Sequence, residues 1–157
     1  MLLPFFEWCE ASALGQLVRS STWLFPVIES VHLLGLSLLG GSLLVVDLRM
    51  LGVGLRGQRM ADLERDARPW LVRSLIVMGM TGVPLFLSEA IKCYYNPSFW
   101  VKITTLPIAL LFAFTVRRRV AANHALDASI RSRLVGIASL GLWFTVAAAG
   151  RWIGFSS

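Results

Sequence analysis

The sequence predicts an all-α membrane protein: a four-transmembrane-helix bundle preceded by a short N-terminal interfacial helix, with both termini periplasmic. Three observations predict it. Hydrophobic residues make up 56% of the 157 and charged residues only 15%, with a mean hydropathy of +0.69, so there is too little charge to cover a soluble surface. Four apolar stretches each approach or exceed the roughly 20 residues of helix that cross a hydrocarbon layer of about 30 Å. The basic residues gather between these stretches rather than along one soluble face. The length allows a single membrane domain, 1–157.

Taken in order, residues 1–20 read as an interfacial helix. They lack the basic start of a signal peptide and carry Glu7 and Glu10 where an unbroken apolar core would lie. Leu3, Phe6, Leu14, Leu17 and Val18, with Trp8, supply the apolar side of a helix lying in the interface. The first span covers 22–46, interrupted by Glu29 and His32. The second covers 74–91 with Glu89 near its end, the third 98–116 with Lys102 near its start, and the fourth 134–155 with Arg151 near its end. Backbone groups in lipid must be satisfied within each segment, so these are helices; a barrel would need many short alternating strands. Trp23, Tyr94, Tyr95, Trp100 and Trp152 fall at one level, as an aromatic belt does.

Orientation follows from the arginines and lysines. Six lie in the 47–73 segment, five in the 117–133 segment, and only Arg19, Lys92, Lys102 and Arg151 lie elsewhere. The positive-inside rule therefore predicts a bacterial inner-membrane protein with both basic segments in the cytoplasm. The net charge of +6 reads as topogenic, which argues against nucleic acid as a partner. The bilayer itself is the first partner, with other membrane subunits or a second copy as further ones.

Cys9 and Cys93 both fall on the predicted outer side, where an oxidising compartment would let them pair or leave them as two thiols. The ionisable residues inside the spans are costly in lipid and normally face inward toward partners. Glu29, Lys102 and Arg151 fall in one outer layer, and His32 lies one turn deeper on the face of Glu29. A structural reading makes this an ion-paired layer that fixes helix register. A cofactor reading makes it a haem b pocket. His32 would be the axial ligand to haem iron, Glu29 its orienter, and Lys102 and Arg151 the propionate anchors. Gly35, one turn further along, would let a flat macrocycle approach the backbone, and Met78 (or Met80) would be the sixth ligand. His124, far from His32 in depth, argues against a single haem held by two histidines. No nucleophile triad, phosphate loop or zinc motif occurs in the sequence.

Pro26, Glu29, His32, Gly35, Gly41, Asp47, Arg49 and Gly52 together resemble a bacterial four-helix membrane family of unknown function. The likeness continues through Pro69, Trp70, Thr81, Gly82, Phe86, Tyr94, Asn96, Phe99, Lys102, Ser139, Trp143, Gly150 and Arg151. The third helix of that family often ends in histidine, where Arg117 stands here. More distantly, the layout is similar to the small membrane protoporphyrinogen oxidases and the copper-resistance D type of membrane protein. That resemblance implies haem b and roles for His32, Arg49 and Lys102. The leading expectation is a small redox protein that binds haem b and exchanges electrons with quinone. Its rivals are an accessory subunit of a larger complex, suggested by Ser37 with Gly41 and the small residues at 147–150, and a proton-coupled transporter using Glu29 and His32. Four helices without an inverted repeat count against the transporter.

Overall fold

A computed structural model describes residues 2–123, 126–127 and 129–155. Among these the chain is helical throughout, with no strand. The N-terminal segment forms two short helices rather than one, α1 (Leu3–Glu10) and α2 (Ala13–Ser20). The break falls where Ser12 leaves helical geometry and its hydroxyl accepts from Gly15 N, an N-cap that starts a new helix. The spans are α3 (Leu24–Leu51), α4 (Met60–Ser88), α6 (Pro97–Phe112) and α8 (Ile130–Phe155), with α5 (Ala90–Tyr95) between the second and third. A π turn, Ala113–Arg117, joins α6 to α7 (Arg118–Ala121), so the third span runs unbroken over Pro97–Ala121.

Each of the four spans is long and apolar enough to cross a membrane, and the protein is a multi-pass membrane protein. The first span runs five residues past the predicted 46, the third span five past 116, and α8 begins four before 134, while α4 begins 14 residues before the predicted 74 and stops at Ser88. The overrun is polar at the basic end, where Asp62, Glu64 and Arg65 lengthen α4. Gly52, at φ +74°, ends α3 in the left-handed conformation that glycine adopts without strain.

Three sides of the bundle pack closely: α3 against α4, α3 against α8, and α6 against α8. The fourth side, α4 against α6, is the loosest. On α8 the buried positions Ser132, Gly136, Ser139, Trp143 and Val146 recur every three or four residues, giving one inward stripe. A Cβ on Gly136 would stand 3.1 Å from Met50 Cβ and 3.3 Å from Asp47 O. That absent side chain lets α8 lie against α3.

The opposite end is closed by the N-terminal helices. Phe6 and Cys9 are buried with Ala90, Cys93 and Phe99, and Phe6 meets Phe86 and Tyr94 edge to face. Glu10 accepts from Ile91 N at 2.8 Å and pairs with Arg19, tying α1 to α2 and capping α5. Trp23, Tyr95 and Trp152 remain largely exposed.

Candidate functional site

Two polar layers occupy opposite ends of the bundle. The first, at the end closed by α1 and α2, is the layer that hydropathy points to. His32 Nδ1 lies 2.7 Å from Thr81 Oγ1, and that hydroxyl lies 2.7 Å from the carbonyl of Val77 one turn back. A threonine hydroxyl has one proton. Donated to Val77 O, it leaves the oxygen as acceptor, so Nδ1 carries the hydrogen and the neutral ring keeps its lone pair on Nε2. A Cβ on Gly82 would stand 3.3 Å from His32 Cε1, so the imidazole edge lies against bare α4 backbone. The group that orients His32 is therefore Thr81, and no hydrogen bond joins Glu29 to His32 among the described residues.

Lys102 runs inward along α8, its Nζ 3.3 Å from where a Gly150 Cβ would stand. It is close enough to act electrostatically on both His32 and Cys93, and no carboxylate pairs with it among the described residues. The remaining candidates lie elsewhere. Arg151 is exposed, its guanidinium 4.6 Å over the ring of Phe155, and it turns away from this layer. The room that Gly35 opens is taken by Val77 and Met78, whose Sδ would be 3.5 Å from a Cβ there. Met80 is 72% exposed. His124 lies outside the described residues. Gly41 faces open space, with nothing within 4 Å of an added Cβ.

Cys9 and Cys93 are both buried in the N-terminal cluster and both are free thiols. Burial, and after it the neighbouring Glu89 carboxylate, pushes the Cys93 thiol up to about 11.

The second layer does not stand out in the sequence. Arg117, 2% exposed, donates from Nε to Asp47 Oδ1 at 2.7 Å, from Nη1 to Glu64 Oε2 at 3.0 Å, and from Nη2 to the Leu43 carbonyl at 3.2 Å. Ser139 Oγ donates to the other Asp47 oxygen at 2.7 Å. One guanidinium thus reaches α3 and α4 directly and α8 through Asp47. Arg49, to which the distant resemblance gives a role together with His32, sits at this end, away from His32. Its Nε donates to Gln58 O at 2.8 Å, and Nη2 lies 2.9 Å from Asp127 Oδ1. That approach is a charge contact without hydrogen-bond alignment. The available signal was an aspartate, Asp47, and an arginine, Arg117, each abutting an apolar run where a solvated charge has no reason to sit.

A bundle of four spanning helices with an inward imidazole near one end and a buried arginine–carboxylate knot near the other defines a small polytopic membrane protein. Residues 5–156 match the family described as "Family of unknown function (DUF6644)", and the chain belongs to it. No curated protein and no solved structure matches.

Two outcomes check this geometry. Arg117→Met leaves two buried carboxylates without their cation and should cost about 3–5 kcal/mol of stability in detergent, against about 1.5–3 for Ser139→Ala; equal, small losses in both would mean that the knot does not hold the bundle. Cys93 should alkylate about 100-fold more slowly at pH 8 than an ordinary thiol, since its thiolate is scarcer by about two pKa units. Because the folded state holds this proton more tightly than the unfolded one, Cys93 contributes stability below pH 9 that is lost between about 9 and 11. A pH titration of the melting temperature of wild type against Cys93→Ser reads the difference.

Proposed function

We propose that this chain is a small bacterial inner-membrane redox protein that binds haem b through His32, with quinone as its electron partner. The observation that carries the reading is the His32–Thr81–Val77 relay. It fixes the tautomer that presents Nε2, as the partners of metal-ligating histidines do. Among the described residues no three His, Cys, Asp or Glu side chains gather to hold a bare metal ion. A single oriented imidazole suits iron whose other in-plane ligands come with the macrocycle.

The residues present fit such a group in part. His32 supplies one axial donor, and Lys102 supplies an ammonium free to meet a propionate. His32 sits against α4 and Lys102 against α8, near enough for the ammonium to act on the ring. Arg151 and the Gly35 notch do not contribute. Bound there, haem would supply one-electron chemistry; the protein would hold the imidazole neutral and oriented and keep a positive charge beside it. The distant likeness to the protoporphyrinogen oxidases and copper-resistance D proteins supports the same reading through His32 and Lys102, but not through Arg49. At about 1.5 Å per residue, the 17 positions between His32 and Arg49 put that guanidinium roughly 25 Å away along α3.

Wild type purified in mild detergent from haem-sufficient cells should show a Soret band that shifts with dithionite. His32→Ala should lose it, and Thr81→Val, which removes the acceptor for Nδ1, should hold haem about 10–100-fold more weakly. A His32→Ala protein with an unaltered spectrum removes the ligand assignment. The inner-membrane orientation, with both termini periplasmic, rests on the eleven basic residues of the two loop segments. An alkaline phosphatase fused to the C-terminus should then be active, and an inactive fusion with an active cytoplasmic reporter at the same position would reverse the topology.

A further inference from the structure

At the basic end, α4 and α7 border a groove of about 560 Å³. Arginines enter it from both helices: Arg68 and Arg73 from α4, Arg118 from α7, with Arg65 at the rim. Arg65 is close to Asp62 and Asp66. The other three have no carboxylate partner among the described residues, although Glu64 lines the same groove. Its carboxylate is turned to Arg117, 3.0 Å away.

The positions of these cations follow from the backbone. Where the π turn ends, Arg117 is buried and Arg118 is exposed, so consecutive arginines divide between the knot and the groove. On α4, Arg65, Arg68 and Val72 are three and four residues apart and share a face. The wall between the charges is apolar, formed by Pro69 and Val72. One turn further along, α4 enters its uncharged stretch. Arg73 stacks 5.4 Å over Trp70, which is half exposed, as an aromatic at a headgroup boundary is. Excess positive charge, concave walls and an apolar floor continuous with the spanning helix are what a phosphate on two acyl chains requires. A fully hydrated free anion would gain nothing from Pro69 and Val72.

We propose that this groove is a binding site for the phosphate headgroup of an anionic phospholipid in the leaflet at the basic end, held by Arg68, Arg73 and Arg118. A guanidinium pairs with phosphate oxygens through two parallel N–H donors, and each arginine that meets an anionic headgroup directly contributes about fivefold in affinity. The site is independent of His32 and of any haem.

The test titrates detergent-purified full-length protein with dioleoylphosphatidylglycerol, dioleoylphosphatidylcholine or inorganic phosphate. Retained lipid is read by native mass spectrometry and stability by thermal melting. Wild type should keep phosphatidylglycerol in preference to phosphatidylcholine by at least about tenfold, and inorganic phosphate at millimolar concentration should not displace it. Arg68→Ala/Arg118→Ala should lower that retention about 25-fold. Arg131→Ala/Arg133→Ala removes the same charge from the same end outside the groove and should stay within about twofold of wild type. Lipid-free melting of all variants separates lost binding from lost fold; should the alanine pair fail to fold, Arg68→Gln alone reads the same loss at about fivefold. No preference between the two lipids overturns the site. Equal losses in the two double variants make the effect a diffuse field and also overturn it. Displacement by inorganic phosphate identifies a free-anion site instead of a lipid one.

Discussion

The bundle depends on keeping the Arg117 guanidinium satisfied away from water. An arginine in a spanning helix is tolerated when it faces inward and finds acceptors, and Arg117 finds three on two other helices. Geometry elsewhere serves this need. The π turn that ends at Arg117 is the kind of local widening that marks a functional or strained position. Gly136 brings α8 against α3 one turn from Ser139, whose hydroxyl satisfies the outward oxygen of Asp47. Remove the cation and Asp47, fully buried, becomes a charge with one hydroxyl for company. Packing alone would let α4 and α6 splay, because they approach each other so little along their length. The knot closes that side at one end, as the N-terminal helices close it at the other.

The charge balance at this end links the knot to the groove outside it. Two carboxylates, Asp47 and Glu64, face one buried guanidinium, so with both ionised the knot by itself would carry a surplus negative charge. Arg68 and Arg118 are near enough to act on Glu64 electrostatically and offset that surplus from the groove side. Glu64 is the shared member, its side chain 12% exposed between the interior and the groove. Its commitment inward leaves the groove arginines in excess, and their excess in turn makes a second buried carboxylate tolerable.

The four spans were legible because length and hydropathy report directly on the thickness of the bilayer. The polar ends were less so, for two different reasons. Counting arginines for orientation treats each as a solvated charge, and Arg117, between an apolar run and Arg118, was counted with the rest. Which of two consecutive arginines turns inward depends on a one-residue widening of the helix that composition does not encode. At the other end, His32 and Lys102 were found because ionisable groups inside a span stand out. Their partners were not: Thr81 and Gly82 are ordinary residues in a helix, and only the α3–α4 packing makes one an acceptor and the other a bare surface. Arg151 shows the converse. Depth along a helix could be read from spacing, but rotation about its axis could not, and Arg151 lies at the right depth on the wrong face.

Rotation and hydrogen-bond order also decide what His32 can do. A lone imidazole inside a bundle is commonly a packing residue whose two nitrogens are both engaged. Here one nitrogen is committed to a hydroxyl that has spent its own proton on a backbone carbonyl, and no described protein group claims the other. Burying a neutral donor or acceptor without a partner is expensive in a medium without water. A bundle able to bring Ser139 to Asp47 across two helices has not brought any side chain to Nε2. The same holds for Lys102, whose ammonium passes along a glycine toward the interior and meets no carboxylate there. Two polar groups of complementary kind, a lone pair and a cation, lie at the same end of the bundle, near enough for one to act on the other. A ligand that accepts the first and neutralises the second would complete that end as Arg117 completes the opposite one.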